Sequence, residues 1–469
     1  LPVGMLYGNA GLTDNLSLET FWNFEWQATQ PDGCGTFFST VDILAEGCNE
    51  LSLASVGAEV QALALPSVDA GIGQLETGIA AGNAGIAQLE VAIAAATAAG
   101  DTGTAAALSR VLAGTQAAVA SAEQQLAGAE ALQQTLLSIS NDRGAQAAGF
   151  FVARGPDRGP SEFNADNFGI SPRYYFDSID TEFGLYYTRL DSRAPNVSFT
   201  SGAPVPILGG AVPLPPASFG PDPRAARYNV EYAENINTFG LSAATNLLGF
   251  SIAGEMSYRN NHPVQINTND LTLAAITLGN SGGLLGVVNP ADALFAGVPA
   301  GTPVPGFIET NQIHGQVSVT GFFDRLLGSD RVTAIGELGF EWLPTLDSDN
   351  PLDLNFGRAS IYGNPNSVGN TADGLVSQFS LGWRSRVSAQ YSNVFAGVNM
   401  TPSISWNQDI LGQSSDLEFI EGRTQLGFGL GFDYLNRYSL LINYTTGFGG
   451  TFNGFDDRDF ASAVFTVQF

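Results

Sequence analysis

Four groups of residues in this 469-residue chain could do chemistry. The stretch Gly279-Asn280-Ser281-Gly282-Gly283 fits G-x-S-x-G, the pattern that holds a nucleophilic serine on a sharp strand-to-helix turn. Such a serine needs a base, and His262 and His314 are the only histidines. The surrounding sequence is Gly-rich, so Ser281 reads as a loop residue before it reads as a nucleophile. Cys34 and Cys48, the only cysteines, are separated by 13 residues of Gly/Asp-rich sequence. They are expected to form one disulfide in an oxidising compartment, contributing roughly 3 kcal/mol by closing a small loop. Two free thiols are the alternative, and a chain with two histidines offers little for a metal centre. Asp456, Asp457 and Asp459 could take a divalent cation, but their spacing is not that of an EF-hand loop. A solvated turn is the simpler reading. No catalytic residue, metal or cofactor is assigned.

The fourth group is a set of charges on the polar side of alternating segments. Glu19, Glu25, Glu182, Glu255, Glu337 and Glu341 recur with Arg173, Arg259, Arg384, Arg386 and Arg423. They have a meaning only if that side faces an enclosed space. One reading is a lumen filled and stiffened by ion pairs. The other is a selectivity lining, in which rings of charge decide which solutes pass.

The elements that must carry these charges follow from a period of two. Residues 16–26 place Leu16, Leu18, Thr20, Trp22, Phe24 and Trp26 on one face. Residues 250–259, 332–342, 381–391 and 426–434 repeat the pattern, and 13 segments of about ten to thirteen residues qualify. The intervening sequence alternates between short turns, near 12–15, 177–180, 246–249, 326–331, 391–395 and 434–437, and long loops. The loops cover roughly 29–165, 191–235, 260–310, 343–375, 408–422 and 448–458. Short periplasmic turns opposite long exterior loops are the asymmetry of an outer-membrane barrel.

Composition agrees. Phe (31), Tyr (13) and Gly (56) are plentiful, while charged residues are only 13% of the chain. A net charge of −27 excludes a nucleic-acid partner, and all 18 basic residues are Arg. The low-charge stretches consist of Ala and Gly rather than Leu and Ile, which suggests no membrane helix and leaves a barrel as the spanning option. Phe465, Val467 and Phe469 alternate at the end of the chain like a barrel-assembly signal, and they place the long loops outside the cell. Bacterial single-chain barrels have even strand counts, and the first segment, near residues 2–11, runs inward. An odd number of strands is therefore expected before Leu1, for a complete barrel of 14–18.

The period changes to 3.5 after Cys48. Residues 71–84, GIGQLETGIAAGNA, are nearly repeated at 85–98, GIAQLEVAIAAATA. Ile72, Leu75, Ile79, Ile86, Leu89 and Ile93 form a seam in which Gly82 replaces one large residue. A second helix carries Leu112, Val119, Leu126, Leu132, Leu136 and Ile139. An antiparallel hairpin is predicted, with arms of about 30 residues and about 45 Å. Residues 1–51 hold the first strands and the disulfide loop, 52–150 the Ala/Gly-rich hairpin, and 151–469 the remaining strands. The hairpin is either a spacer packed only on itself or, through its almost uncharged outer faces, a surface for self-association or a partner.

LPVGMLYGNAGLTDNLSLETFW at the start, CGTFFST at 34–40, TEFGLYYTRLDSRAP at 181–195, EMSYRNNHPVQINTND at 255–270, SNVFAGVNMTPSISWNQD at 392–409 and DRDFASAVFTVQF at 457–469 together resemble one family. It is the proteobacterial outer-membrane family known as domain of unknown function 1302. The resemblance covers most of the chain outside the hairpin and the middles of the long loops. It implies a barrel with strands before the LPVGMLYG motif. It also implies contact with outer-membrane lipid, lipopolysaccharide and the barrel-assembly machinery, and company with periplasmic lipid-carrier-like proteins and resistance-nodulation-division exporters. It brings no catalytic residues. The expected function is a conduit for hydrophobic or amphipathic molecules, with the segment His262 to Asp270 as a candidate inward-folded loop. The alternative is a surface structural or adhesive protein whose barrel anchors the hairpin.

Overall fold

The structure, a computed structural model, describes residues 3–36, 41–139, 141–147, 149–204, 218–282, 288–357 and 374–468. In chain order the strands begin with β1 (Met5–Gly11), β2 (Leu16–Glu25), β3 (Glu50–Ser52), β4 (Phe151–Arg154), β5 (Phe163–Phe176), β6 (Thr181–Leu190), β7 (Asn196–Thr200), β8 (Arg227–Glu231) and β9 (Ile236–Leu247). They continue with β10 (Phe250–Gln265), β11 (Pro303–Val304), β12 (Phe307–Asp324), β13 (Arg331–Trp342), β14 (Phe379–Phe395), β15 (Val398–Leu411), β16 (Thr424–Tyr434), β17 (Tyr438–Phe448) and β18 (Phe460–Val467). The main helices are α1 (Ala54–Ala98), α2 (Thr102–Ser138), α3 (Asp142–Ala147) and α4 (Thr268–Thr277).

Thirteen strands form one antiparallel meander in the order β1-β2-β5-β6-β9-β10-β12-β13-β14-β15-β16-β17-β18. Register partners share a face, so the pairs Met256↔Gly315, Gly315↔Phe340 and Phe340↔Leu381 mark the apolar side. Leu185, Leu241, Val317, Leu338, Val387 and Ile404 form its exposed middle. Aromatic rings stand at both ends of this face. Tyr174, Phe183, Phe250, Tyr434 and Phe465 lie by the short turns, and Trp22, Tyr258, Trp342, Phe379 and Trp406 by the long loops, all exposed. An apolar band between two aromatic girdles, on strands that hydrogen-bond only to one another, is the outer wall of an outer-membrane β-barrel. A soluble protein could not leave so wide an apolar surface in water. Among the described residues β1 and β18 each pair on one side only.

The short turns fall where sequence places them, except that Ala396-Gly397 rather than 391–395 turns β14 into β15. The long loops differ more. Three of them contribute strands to a second sheet of five, in the order β11-β7-β8-β4-β3, with β4 parallel to β8. Val197, Phe199, Val152 and Tyr228 from this sheet pack in one core with Leu271 and Leu273 of α4 and with Leu343 and Phe356. This second unit is a cap at the loop ends of the strands. Segment 262–270 is therefore no free loop: it ends β10 and enters α4, nine of whose ten residues are buried.

α1 and α2 form the expected hairpin. Ile72, Leu75, Ile79, Ile86, Leu89, Ile93, Leu112 and Leu126 are half-buried, Val119 is buried, and the intervening positions are largely exposed. A Cβ on Gly82 would lie 2.5 Å from Val119 Cγ2, so glycine is what lets the helices approach there. Leu132, Leu136 and Ile139 at the base join the cap core. Residues Val68–Ala98 are long and apolar enough to cross a membrane by length and composition, contrary to the sequence reading, because Ala and Gly suffice where charge is so sparse. That property by itself assigns no span. The Cys34–Cys48 disulfide is formed, with Cα atoms 5.9 Å apart.

Candidate functional site

The sheet's polar face acquires a site because one connection folds onto it. Gly339 and Gly382 are register partners on β13 and β14. With no side chains there, a hole opens that the Phe419 ring fills: added Cβ atoms would sit 3.4 Å and 2.7 Å from it. Phe419 belongs to the β15–β16 connection, residues 412–423, in which Gln413, Ser414, Phe419 and Ile420 are buried. Within it, Phe419 N donates to Ser414 Oγ (2.8 Å) and Ser414 N to Phe419 O (3.0 Å).

Two polar clamps hold this loop. In the first, Asp409, 1% exposed, accepts from Arg384 (2.8 Å), Arg423 (2.6 Å) and Ile420 N (3.0 Å). Both guanidiniums also donate to Glu418 O. In the second, buried Glu341 accepts from Gln312 Nε2 (3.0 Å), Ser415 N (2.9 Å) and Ser415 Oγ. His262 Nε2 lies 2.9 Å from Ser415 Oγ, and Arg259 donates to Gln312 Oε1 at 2.9 Å. His314 adds a bond to Glu418 at 3.0 Å. Each of these clamp groups thus has a partner, as a water-poor site requires, whereas Gln413 Oε1 in the same loop has none among the described residues.

Next to the second clamp is a cavity of about 710 Å³. Its walls come from β6 (Thr188), β9 (Thr238), β10 (Arg259, His262), the disulfide loop (Val41, Leu44) and the inward loop (Ser415, Leu417). In a flat sheet, β6 and β15 would be about 29 Å apart at about 4.8 Å per strand. The inward loop, which leaves β15 and bonds to Glu341 on β13 and His262 on β10, covers much of that distance. Most of the exposed lining surface is apolar, although about half of the lining residues carry polar groups, and the volume falls within the usual range for a small-molecule site.

Other sequence-derived charges lie outside this cavity. Glu19 pairs with Arg173 at 3.2 Å, Glu25 accepts from Gly4 N at 2.7 Å, and Glu255 from Gln316 at 2.9 Å. Glu182 and Tyr186 share the polar face of β6, Glu337 is the register partner of Arg384, and Arg386 reaches Ser403 at 3.4 Å. Ser281 is fully buried beyond α4 and donates to Asp292 at 2.7 Å, while its other side-chain neighbours are Thr277 and Asn289. Phe465 and Val467 lie on β18, and Phe469 is outside the described residues. Sequence reasoning missed Asp409, Gln312, Ser415 and Phe419. An apolar pair, Phe419-Ile420, in an otherwise largely polar connection was the available signal.

The sequence matches the family described as Protein of unknown function (DUF1302) over residues 1–469. No curated protein matches it. Among solved structures, the beta domain of the Bordetella autotransporter BrkA is 12% identical, with a TM-score of 0.24, over 64% of this chain and 86% of that one. LpxR from Salmonella typhimurium is 11% identical, with a TM-score of 0.20, over 65% of this chain and 91% of that one. At such scores neither likeness carries an argument, and the architecture rests on the register and the outward face.

Proposed function

The chain belongs to the family of proteins of unknown function DUF1302, and from its capped barrel we propose that it is a conduit for hydrophobic or amphipathic molecules across the outer membrane. The observation that carries this reading is the roughly 710 Å³ cavity between the strands, the cap and the inward loop 412–423. A water-filled pore needs no cap core and no inward loop set on the polar face; a path for apolar matter needs walls that keep water out. The barrel supplies the crossing, the inward loop the narrow point, and a periplasmic carrier the acceptor or donor. The test is transfer of a fluorescent long-chain lipid between vesicles bridged by the reconstituted protein. Glu341→Gln with Ser415→Ala, which loosens the inward loop, is expected to change the transfer rate severalfold. Transfer no faster than through an unrelated barrel would overturn the reading.

A second reading has its own observation: helices of 45 and 37 residues, mostly exposed, stand on the cap. In it the barrel anchors an exterior hairpin that makes lateral or intercellular contacts. Gly82 against Val119, and Gln133 bonded to Asp69, fix the pairing of the arms. Replacing residues 77–124 by a short Gly-rich turn therefore removes the distal part and keeps the base. Lost adhesion or assembly with unchanged lipid transfer would favour the anchor.

A further inference from the structure

We infer that the cavity selects amphiphiles with an oxyanion head group, and that Arg259 is the residue that reads the head; this rests on the conduit reading above. Arg173 is neutralised by Glu19, and Arg384 with Arg423 by Asp409; Arg386, on the same face, reaches only Ser403 among the described residues but does not line the cavity. Arg259, half-buried on the cavity wall, donates to the neutral amide of Gln312, and among the described residues no carboxylate lies within ion-pair distance of it. In a chain of net charge −27, an arginine left without a carboxylate in a secluded place is unexpected unless something else supplies the anion.

The remaining charges around the cavity do not supply it. Asp191 already accepts from Asn164, Asn167 and Asn235 N, three of its roughly four acceptor sites, and makes no ion pair with Arg259. Asp32 and Asp416 are exposed; Asp416 acts on the neighbouring His262 and Glu341 but makes no ion pair with Arg259. His262 is bonded to Ser415. The Gln312 bond also fixes one edge of the guanidinium, leaving its other N–H groups to meet a planar or tetrahedral oxyanion with two parallel bonds. Val41, Leu44, Leu190, Ile236, Val376 and Leu417 offer an apolar wall beside it for a single hydrocarbon chain. A carboxylate and an alkyl phosphate present the same chemistry to such a site.

The test is displacement of a fluorescent polyene fatty acid from the full chain in zwitterionic nanodiscs. The competitors are hexadecanoate, its methyl ester, hexadecyl phosphate and hexadecyltrimethylammonium. The oxyanions are expected to displace the probe about tenfold better than the ester or the cation. The carboxylate-to-phosphate ratio then names the preferred head. Arg259→Gln should abolish that preference while leaving displacement by the ester unchanged, and Arg259→Lys should retain part of it. Arg437→Gln at a distant turn should change nothing, and heat-modified electrophoretic mobility checks that each variant is folded. If wild-type protein binds ester and carboxylate alike, favours the cation, or keeps its preference in Arg259→Gln, the head-group inference is overturned and the conduit stands. If no amphiphile displaces the probe and the probe itself does not bind, the conduit reading falls with it.

Discussion

Tyr228 ties the cap to the disulfide loop through one hydroxyl hydrogen shared between Ile43 O (3.2 Å) and Cys48 O (3.0 Å). Its side chain is fully buried, and burial pushes its pKa up to about 12. The sign follows from proton binding: the folded state holds the phenolic proton more tightly than the unfolded chain, where the pKa is about 10. The resulting stability is complete below about pH 10 and is lost as pH rises through 12, a loss on the order of 2 kcal/mol. Tyr228→Phe should lower cap stability by about 1 kcal/mol at neutral pH through the lost hydrogen bond, and should flatten the alkaline decline. Tyr232, also raised by burial, would leave a smaller residual slope. Melting followed between pH 8 and 12 gives the answer, and equal slopes in both proteins would rule out Tyr228 as the titrating group. At the same scale, Gly382→Leu would put side-chain atoms where Phe419 sits, and the inward loop should detach, with protease access to 412–423 as the readout.

Among the elements, the hairpin offers a contrast between two glycines. Gly114 is exposed, with nothing within 4 Å of an added Cβ, so Gly114→Ala should stabilise α2 by up to about 1 kcal/mol. Gly82→Ala gains the same propensity but overpacks Val119, at a cost of about 1–3 kcal/mol, so its net effect should be unfavourable. Adding Val119→Ala should recover much of that loss, with a coupling energy of about 1 kcal/mol, read from hydrogen exchange in the hairpin. Simple additivity would mean that the helices do not meet at this pair. The seam was legible because a repeat of 3.5 is a local signal, and barrel strands were legible because their alternation is local too. The cap sheet was not. β3, β7, β8 and β11 have two to five residues each, too few for a period to show, and their pairings join segments up to about a hundred residues apart. Phe419 was hidden for a related reason: the hole it fills belongs to two glycines on different strands, which only register brings together.

For the whole molecule, the decisive assignment is which face of the sheet meets lipid. Leu338 and Ile335 are exposed residues of the same strand, β13, on opposite faces. Leu338 is the register partner of Trp383 within the apolar band, whereas Ile335 is the partner of Arg386 on the polar side. In a barrel, Leu338→Arg places a charge near the bilayer midplane and should cost about 2–4 kcal/mol in folding into short-chain vesicles. Ile335→Glu should change stability by no more than about 1 kcal/mol, because its carboxylate enters a polar interior beside Arg386. A water-soluble sheet packed on its polar side would respond the other way: Leu338→Arg would be nearly neutral and would improve solubility, while Ile335→Glu would insert a charge into the packed layer. The two substitutions are three residues apart and differ mainly in face, so their ratio of effects depends little on strand propensity or local turn chemistry.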